Sequence, residues 1–385
     1  MISRRDVPVG IFTVVVTVVV LLSITAYRSC FDGSLQPFSN QIQEIRADIQ
    51  DETDSPKQSQ QENSNAQASS ANSPVSETER RLVIIATESR SGSTWLGTIF
   101  QMIPDLMYVF EPLDPRHASS MGYPQASHDP LDKEQLSEES KLKVLSSLCT
   151  CKFRTIQAFG KAVITREKSS HTSYNLHEEV QKGREHMEEF CSNFDIIMPK
   201  CIRLTDLSIL KRLPEFGCTN YQVVHLIRDP RAVIRSRMVT FHELYSGNGQ
   251  KIPVNNSSQE MSDDMIYDAA ADLCSHGVKN GAMGKEPWLK DRYLRVRYQD
   301  MVDKPYDKVE ELYKFVSKPV TEKVTSFVDT SMNGEKASSN FNVIKDSKAV
   351  SEKWRSMDVE KIRIIERACG EFLRTFGYDI FDGKT

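Results

Sequence analysis

VIIATESRSGSTWLG, residues 83–97, is one of the two most informative stretches of this chain. An apolar, β-rich run is followed by a turn of small polar residues and then by apolar residues at helical spacing. Such a turn presents backbone N–H groups and the positive end of a helix dipole to an anion. The turn has one glycine, Gly92, preceded by Arg90, and it lacks the lysine of G-x-x-x-x-G-K-[ST]. The pattern predicts a phosphate-type loop without the Walker lysine; the alternative is a plain turn capped by Ser93.

A second turn of the same kind is VVHLIRDPRAVIRSR, residues 223–237. An apolar strand ends before Arg228, Asp229 is positioned to cap a helix, and Pro230 occupies the favoured first helical position. Ser236 lies two turns into that helix. Arginines gathered at a strand end predict a second anion site, whereas the alternative is a capped helix with solvated arginines.

The folded part of the chain alternates strand and helix patterns. Candidate strands are Leu82–Ala86, Leu106–Phe110, Asp195–Met198, Gln222–Ile227 and Tyr293–Val296. Candidate helices include Lys133–Leu148, Glu178–Phe190, Ser262–Met283 and Asp358–Phe376. Continuous apolar strands separated by helices predict an α/β fold with a parallel sheet of about five strands flanked by helices. Ligands of such sheets bind at the carboxyl ends of strands, where both turns lie.

The two turns together resemble those of sulfotransferases that use 3′-phosphoadenosine 5′-phosphosulfate (PAPS). In that family S-G-[ST]-[ST]-[WFY] binds the 5′-phosphosulfate, and an arginine with a serine eight residues later binds the 3′-phosphate. The matching residues of this chain are Arg90, Ser91, Gly92, Ser93, Thr94, Trp95, Arg228 and Ser236. The resemblance implies that these residues bind PAPS as co-substrate in a P-loop-like sulfotransferase fold, with no metal required.

A closer resemblance, over about residues 82–378, is to the Golgi carbohydrate 6-O-sulfotransferases. They share F-E-P-L, R-Y-E-D-L and W-R motifs, which appear here as FEPL at 110–113, RYQDM at 297–301 and WR at 354–355. It implies sulfuryl transfer to a hydroxyl, expected to be the 6-OH, of galactose, N-acetylgalactosamine or N-acetylglucosamine in glycans or proteoglycans. Thr94-Trp95 in place of Ser-Phe, and Gln299 in place of glutamate, blur which sugar is the acceptor.

A sugar hydroxyl needs a general base as it bonds to sulfur. We expect this base to be Glu111, because it follows the strand 106–110 and Pro112 restricts the turn after it. The alternative is a loop carboxylate paired with an arginine. His117 and His225 are weaker candidates, and His225 lies inside an apolar strand, where a histidine is more often a core residue.

The first 80 residues differ in composition from the rest. Residues 7–27 carry no charge and, at about 1.5 Å per residue, span about 30 Å, so they predict a transmembrane signal anchor. Two preceding arginines put residues 1–6 in the cytosol, as in a single-pass type II protein of the Golgi membrane; a cleaved secretory signal is the alternative. Residues 28–80 are polar and predict a disordered luminal stem, which leaves 81–385 as the luminal catalytic domain.

Cysteines and glycosylation sequons agree with a luminal location. The chain has eight cysteines, and Cys30 just beyond the anchor leaves seven in the domain. Either Cys30 bridges to a second chain, which would give a homodimer, or one cysteine stays free. Asn255 and Asn256 both fit N-x-[ST]. The formal charge of -4 argues against a nucleic-acid partner.

Two other functions are compatible with the outline of the fold. A P-loop kinase would need the Walker lysine and ligands for Mg²⁺, and neither pattern is present. A catalytically inactive, membrane-anchored glycan-binding protein would be expected to carry damaged cofactor motifs, whereas here they are intact. The sequence therefore favours the active sulfotransferase.

Overall fold

The computed structural model describes residues 80–114, 136–153, 174, 176–241, 244–245, 251–252, 262–333 and 347–383. The predicted anchor 7–27, almost all of the stem 28–80 and four single-residue predictions lie outside these ranges. Those four residues are Cys30, His117, Asn255 and Asn256. Within the described ranges, no helix combines the length and the apolar character that crossing a bilayer requires.

Five parallel strands form the central sheet. They are β1 (Arg81–Thr87), β2 (Leu106–Phe110), β3 (Ile196–Cys201), β4 (Tyr221–Ile227) and β7 (Tyr293–Arg297), in the order β2-β3-β1-β4-β7. A separate antiparallel pair is formed by β5 (Leu244–Tyr245) and β6 (Lys251–Ile252). The predicted α/β fold and its five strand positions are confirmed.

Strand β3 differs from its prediction, which ended at Met198 before a proline. The strand continues through Pro199 to Cys201, and Pro199 pairs with Val109 of β2. A proline removes only one donor from the ladder, and β3 keeps its pairing with β1 and β2 on either side of Pro199. The extension carries Lys200 to the carboxyl edge of the sheet.

Helices cover both faces of the sheet. They are α1 (Ser93–Phe100), α2 (Glu138–Thr150), α3 (Leu176–Gln181), α4 (Arg184–Ser192), α5 (Pro230–Phe241), α6 (Asp263–Met283), α7 (Tyr298–Asp303), α8 (Pro305–Phe315), α9 (Glu322–Asn333), α10 (Ser347–Glu352), α11 (Val359–Ala368) and α12 (Gly370–Phe376). Short 3₁₀ segments lie at Leu207–Phe216, Pro287–Leu289 and Lys353–Ser356.

Three predicted helices have different bounds. The one expected from Lys133 begins at Glu138, because Ser137 caps it by accepting the Ser140 N–H at 3.1 Å. The one expected at 178–190 is split into α3 and α4 by Gly183, whose φ is 106°. The C-terminal helix is split at Cys369, which ends α11 and precedes α12.

Alternate residues of β1 supply two separate cores, which explains its continuous apolar run. Leu82 and Ile84 face a cluster that includes α2, whereas Val83 and Ile85 face a cluster built with α1, α8 and α9. All four side chains are fully buried. A third cluster joins α5, α6, α11 and α12 beyond β4. These layers hold the carboxyl ends of β1 and β4, with their two turns, in fixed positions.

Three disulfide bonds stabilise the domain. They join Cys149 to Cys218, Cys151 to Cys191 and Cys274 to Cys369 across 69, 40 and 95 residues. Closing loops of this length contributes about 4 kcal/mol per bridge in the chain-entropy account. The seventh cysteine of the domain, Cys201, is a buried free thiol, and burial raises its pKa.

Candidate functional site

The first turn is shaped by Gly92, which is the N-cap of α1 in the left-handed region with φ 89°. The expectation that a plain turn would be capped by Ser93 is wrong, since Ser93 is the first helical residue. The first helical hydrogen bond runs from the Leu96 N–H to the Gly92 carbonyl at 3.2 Å. The N–H groups of Ser93, Thr94 and Trp95 therefore lie outside the helical ladder, where an anion is favoured.

The space beside Gly92 is filled by Tyr298, the first residue of α7. A Cβ on Gly92 would lie 2.4 Å from two carbons of the Tyr298 ring. Glycine is needed here both for its positive φ and for this close approach. The ring also packs edge-on against Trp95, with centroids 6.1 Å apart.

We expect Gly92→Ala to lower the free energy of unfolding by about 1–3 kcal/mol, because it adds backbone strain and a steric clash. Urea denaturation measures the change. Gly217→Ala is the matched control: its φ of 91° and ψ of 4° are close to those of Gly92, but the nearest heavy atom to its added Cβ, Cγ2 of Thr150, is at an ordinary contact distance of 3.9 Å. Equal losses in the two variants would show that the contact with Tyr298 contributes nothing.

The second turn places Arg228 at the end of β4, below the first loop. Its side chain is 7% exposed and donates from Nη1 to the Arg90 carbonyl at 3.0 Å and from Nη2 to the Val350 carbonyl at 3.2 Å. The guanidinium lies 4.4 Å from the centre of the Tyr298 ring. Its Nε is buried and has no hydrogen-bond partner among the described residues. Burial lowers the pKa of Arg228, so an anion at this point would be strongly favoured.

The helix after this turn begins as predicted. Asp229 accepts the backbone N–H of Arg231 at 2.9 Å, and Pro230 is the first residue of α5. Arg231 itself points away from the loop, since it donates to Asp229 and Glu366 at 2.7 Å each. Its guanidinium also lies 3.8 Å from the centre of the Trp354 ring. Arg231 and the WR motif therefore hold the C-terminal helices against α5 and do not line the first loop.

Arg90 and Ser236 join the two turns directly. Arg90 Nε donates to Ser236 Oγ at 3.1 Å, although 146 residues separate them. Arg90 has φ 71°, a conformation that non-glycine residues rarely adopt and that often marks a functional site. Burial lowers its pKa, and the nearby Arg228 and Arg237 lower it further. Positive charges gathered this closely favour an anionic ligand.

The remaining residues of the first motif occupy different environments. Ser91 and Ser93 are buried and Thr94 is exposed. The Trp95 side chain is 5% exposed and donates its indole N–H to Ser331 Oγ at 2.9 Å. Its ring therefore packs in the core, and a role toward a ligand would fall to its backbone N–H.

Glu111 lies at the same edge of the sheet, one strand further away than expected. Strand β3 separates β2 from β1, so two strand spacings, roughly 10 Å, divide Glu111 from the first loop. Like Arg90, Glu111 has a positive φ, 47°. Its Oε1 pairs at 2.8 Å with Nζ of Lys200, and both side chains are almost fully buried.

Lys200 is the residue of this site that sequence reasoning missed. It projects from the end of β3, between the first loop and Glu111, and its Nζ lies 3.7 Å from the centre of the Phe110 ring. The strand was predicted to stop before Pro199, so Lys200 was not assigned to its carboxyl end. Extending the predicted strand by two residues would have placed Lys200 at the carboxyl edge of the sheet, where ligands of parallel sheets bind.

Residues 80–377 match the protein family described as the sulfotransferase domain. The chain belongs to this sulfotransferase family. This sulfotransferase is 27% identical to carbohydrate sulfotransferase 3 of Mus musculus over 78% of this chain and 68% of that protein. It is 25% identical to carbohydrate sulfotransferase 1 of Homo sapiens over 77% of this chain and 79% of that protein.

Solved structures of other sulfotransferases align with it as well. The sulfotransferase domain from the Synechococcus PCC 7002 olefin synthase aligns with a TM-score of 0.45 and 19% identity, covering 82% of this chain and 100% of that chain. Mouse sulfotransferase SULT7A1, complexed with PAP, aligns with a TM-score of 0.40 and 11% identity, covering 78% of this chain and 85% of that chain.

His225 of this sulfotransferase is held in the core of the sheet. It is 5% exposed, and its Nδ1 lies 2.7 Å from the hydroxyl of Tyr293. Burial, and to a smaller extent the charge of Arg295, lower its pKa to about 4. The ring is therefore neutral near pH 7 and already hydrogen-bonded to a tyrosine. Both facts favour a structural role for His225 in the core over a role as general base.

Proposed function

We propose that this sulfotransferase transfers a sulfuryl group from PAPS to a hydroxyl of a glycan or proteoglycan. The expected acceptor is the 6-OH of galactose, N-acetylgalactosamine or N-acetylglucosamine. Proteins named carbohydrate sulfotransferase 1, 3 and 5 are 25–27% identical over most of this chain, which supports a carbohydrate acceptor. The 6-OH rests on the resemblance of the FEPL, RYQDM and WR motifs.

The observation that carries the proposal is the joining of two anion-binding turns by Arg90 and Ser236. PAPS has one anionic group at each end of its ribose, and the turns at the ends of adjacent strands β1 and β4 offer one site for each. The residues present fit this ligand. The buried Nε of Arg228, which has no partner among the described residues, is available to a 3′-phosphate.

When bound, PAPS supplies the sulfuryl group for in-line transfer and leaves as adenosine 3′,5′-bisphosphate (PAP). The N–H groups at the start of α1 and the Arg90 guanidinium bind the 5′ end, where negative charge grows during transfer. Gly92 lets the backbone come close to that end, and Tyr298 supports the loop from behind. Arg228 and Ser236 bind the 3′-phosphate and orient the nucleotide.

On the acceptor side, Glu111 removes the proton of the attacking sugar hydroxyl. Lys200, paired with Glu111 at 2.8 Å, lies between the carboxylate and the loop. During transfer, the Lys200 ammonium would leave the Glu111 carboxylate and bind oxygens of the sulfuryl group. The carboxylate would then accept the proton of the sugar hydroxyl. Both side chains are buried, so water is largely excluded from the pair.

The proposed setting is the Golgi lumen, with residues 7–27 as a type II anchor, 28–80 as a stem and the catalytic domain beyond. The three disulfide bonds support an oxidising compartment. Glycosylation at Asn255 and Asn256, and a homodimer bridged by Cys30, remain parts of this proposal. Six of the seven cysteines in the domain are paired with each other, and the seventh, Cys201, is a buried free thiol. None of those six is therefore available to bond with Cys30.

The test is a transfer assay with sulfur-labelled PAPS, the full-length chain and a panel of glycans ending in each of the three sugars. We expect label on at least one acceptor and none on its 6-deoxy analogue. Label on the 6-deoxy analogue would contradict the 6-OH. Glycan binding without any transfer would instead support the inactive glycan-binding protein.

A further inference from the structure

Arg237 follows the proposed 3′-phosphate residue Ser236, yet its contacts go to the first loop. Its side chain is 4% exposed, and Nη2 lies 2.9 Å from Oε2 of Glu88. Nη2 and Nε also donate to the carbonyl of Ser89 at 3.3 and 3.4 Å. A residue of α5 thus binds the part of the loop that precedes Gly92.

Two arginines of the second turn hold consecutive carbonyls of the first loop. Arg237 binds the Ser89 carbonyl, and Arg228 binds the Arg90 carbonyl at 3.0 Å. Because a peptide unit is planar and trans, fixing its carbonyl also fixes the direction of the next N–H. The positive φ of Arg90, 71°, is thereby held in place by contacts from another part of the chain.

We propose that Arg237 is a positioning residue for the loop that binds the 5′-phosphosulfate, acting through Glu88 and Ser89 without touching the nucleotide. This inference rests on the proposed function, because it assumes that the loop binds the 5′ end of PAPS. Its consequence is that affinity for the 5′ end depends on an arginine carried by the helix that binds the 3′ end.

Binding of three nucleotides to the full-length chain separates the two ends. PAP carries both phosphates, 5′-AMP tests the loop, and 3′-AMP tests Arg228 and Ser236. We expect Arg237→Met to weaken 5′-AMP and PAP about tenfold or more, as for lost hydrogen bonds to a charged group, and to change 3′-AMP less than about twofold. Titration calorimetry or competition against labelled PAP measures the three affinities.

Glu88→Gln distinguishes positioning from a plain effect of charge. Removing this carboxylate makes the site more positive, so a charge effect alone predicts tighter 5′-AMP binding. Positioning predicts weaker binding, by about threefold, because the contact with Arg237 loses its charge. The Glu88 side chain is 26% exposed, so this variant tests the proposal even where Arg237→Met fails to fold.

Arg212→Met is the control, since it removes an exposed arginine whose Nε lies 3.4 Å from Glu215, in the 3₁₀ segment before β4. It should leave all three affinities unchanged. Equal losses of 5′-AMP and 3′-AMP in Arg237→Met, or tighter 5′-AMP binding in Glu88→Gln, overturn the positioning role and leave the PAPS assignment standing. A wild-type chain that binds none of the three nucleotides overturns both.

Discussion

Glu111→Gln is expected to lower kcat for sulfuryl transfer about a hundredfold or more, while PAP binds within about twofold of wild type. The amide keeps the shape of the side chain but cannot accept the proton of the sugar hydroxyl. The proposed phosphate contacts follow β1 and β4, two and three strands away from the strand that precedes Glu111, so we expect nucleotide binding to be unaffected. Steady-state kinetics with labelled PAPS and PAP titration give the two quantities.

The buried partner of Glu111 requires a control for folding. The change leaves Lys200 without its paired carboxylate, and breaking a buried ion pair costs about 3–5 kcal/mol. Thermal unfolding of the variant, and of Glu111→Gln combined with Lys200→Met, separates lost stability from lost chemistry. Near-normal kcat in a folded Glu111→Gln protein would remove Glu111 as the base.

Arg228→Ala is expected to weaken PAP binding by about 2 kcal/mol or more, which is roughly a thirtyfold change in affinity. The alanine removes a charge-assisted contact with the 3′-phosphate and frees the Arg90 carbonyl that Arg228 holds at 3.0 Å. Calorimetric titration with PAP measures the loss. Arg228→Lys keeps the charge without the planar fork, so we expect it to recover only part of the affinity.

The 3′-phosphate assignment is tested by changing the ligand as well as the protein. Adenosine 5′-phosphosulfate, which lacks the 3′-phosphate, should bind the wild type and Arg228→Ala with more similar affinities than PAPS does. A loss of the same size for both nucleotides would mean that Arg228 acts only by supporting the loop through Arg90. Unchanged PAP affinity would refute the assignment altogether.

Much of the fold followed from local patterns. The strands were recognisable because a parallel strand covered on both faces has a nearly continuous apolar run, as residues 82–86 of β1 do. The cap at Asp229 and the proline after it also act locally, and the structure confirms both. Strand β3 was predicted too short because a proline usually ends a strand or lies on an edge strand, whereas here the pairing with β1 and β2 continues past Pro199.

Long-range partners were not recognisable in the same way. Arg231 and Arg237 have the same side chain and lie on one helix, yet Arg231 fastens the C-terminal helices and Arg237 holds the first loop. Nothing in the RDPRAVIRSR motif distinguishes these two destinations. They depend on which elements pack against each side of α5.

The sequence alone predicted two anion-binding turns without a Walker lysine, the parallel sheet between them and the resemblance to sulfotransferases. These features depend on local backbone preferences and on residues close together in the chain. The three-dimensional structure was needed to show that β3 lies between β1 and β2, that Lys200 pairs with Glu111 and that Arg90 contacts Ser236 across 146 residues. Strand order and buried side-chain partners result from the packing of whole layers, which local sequence does not encode.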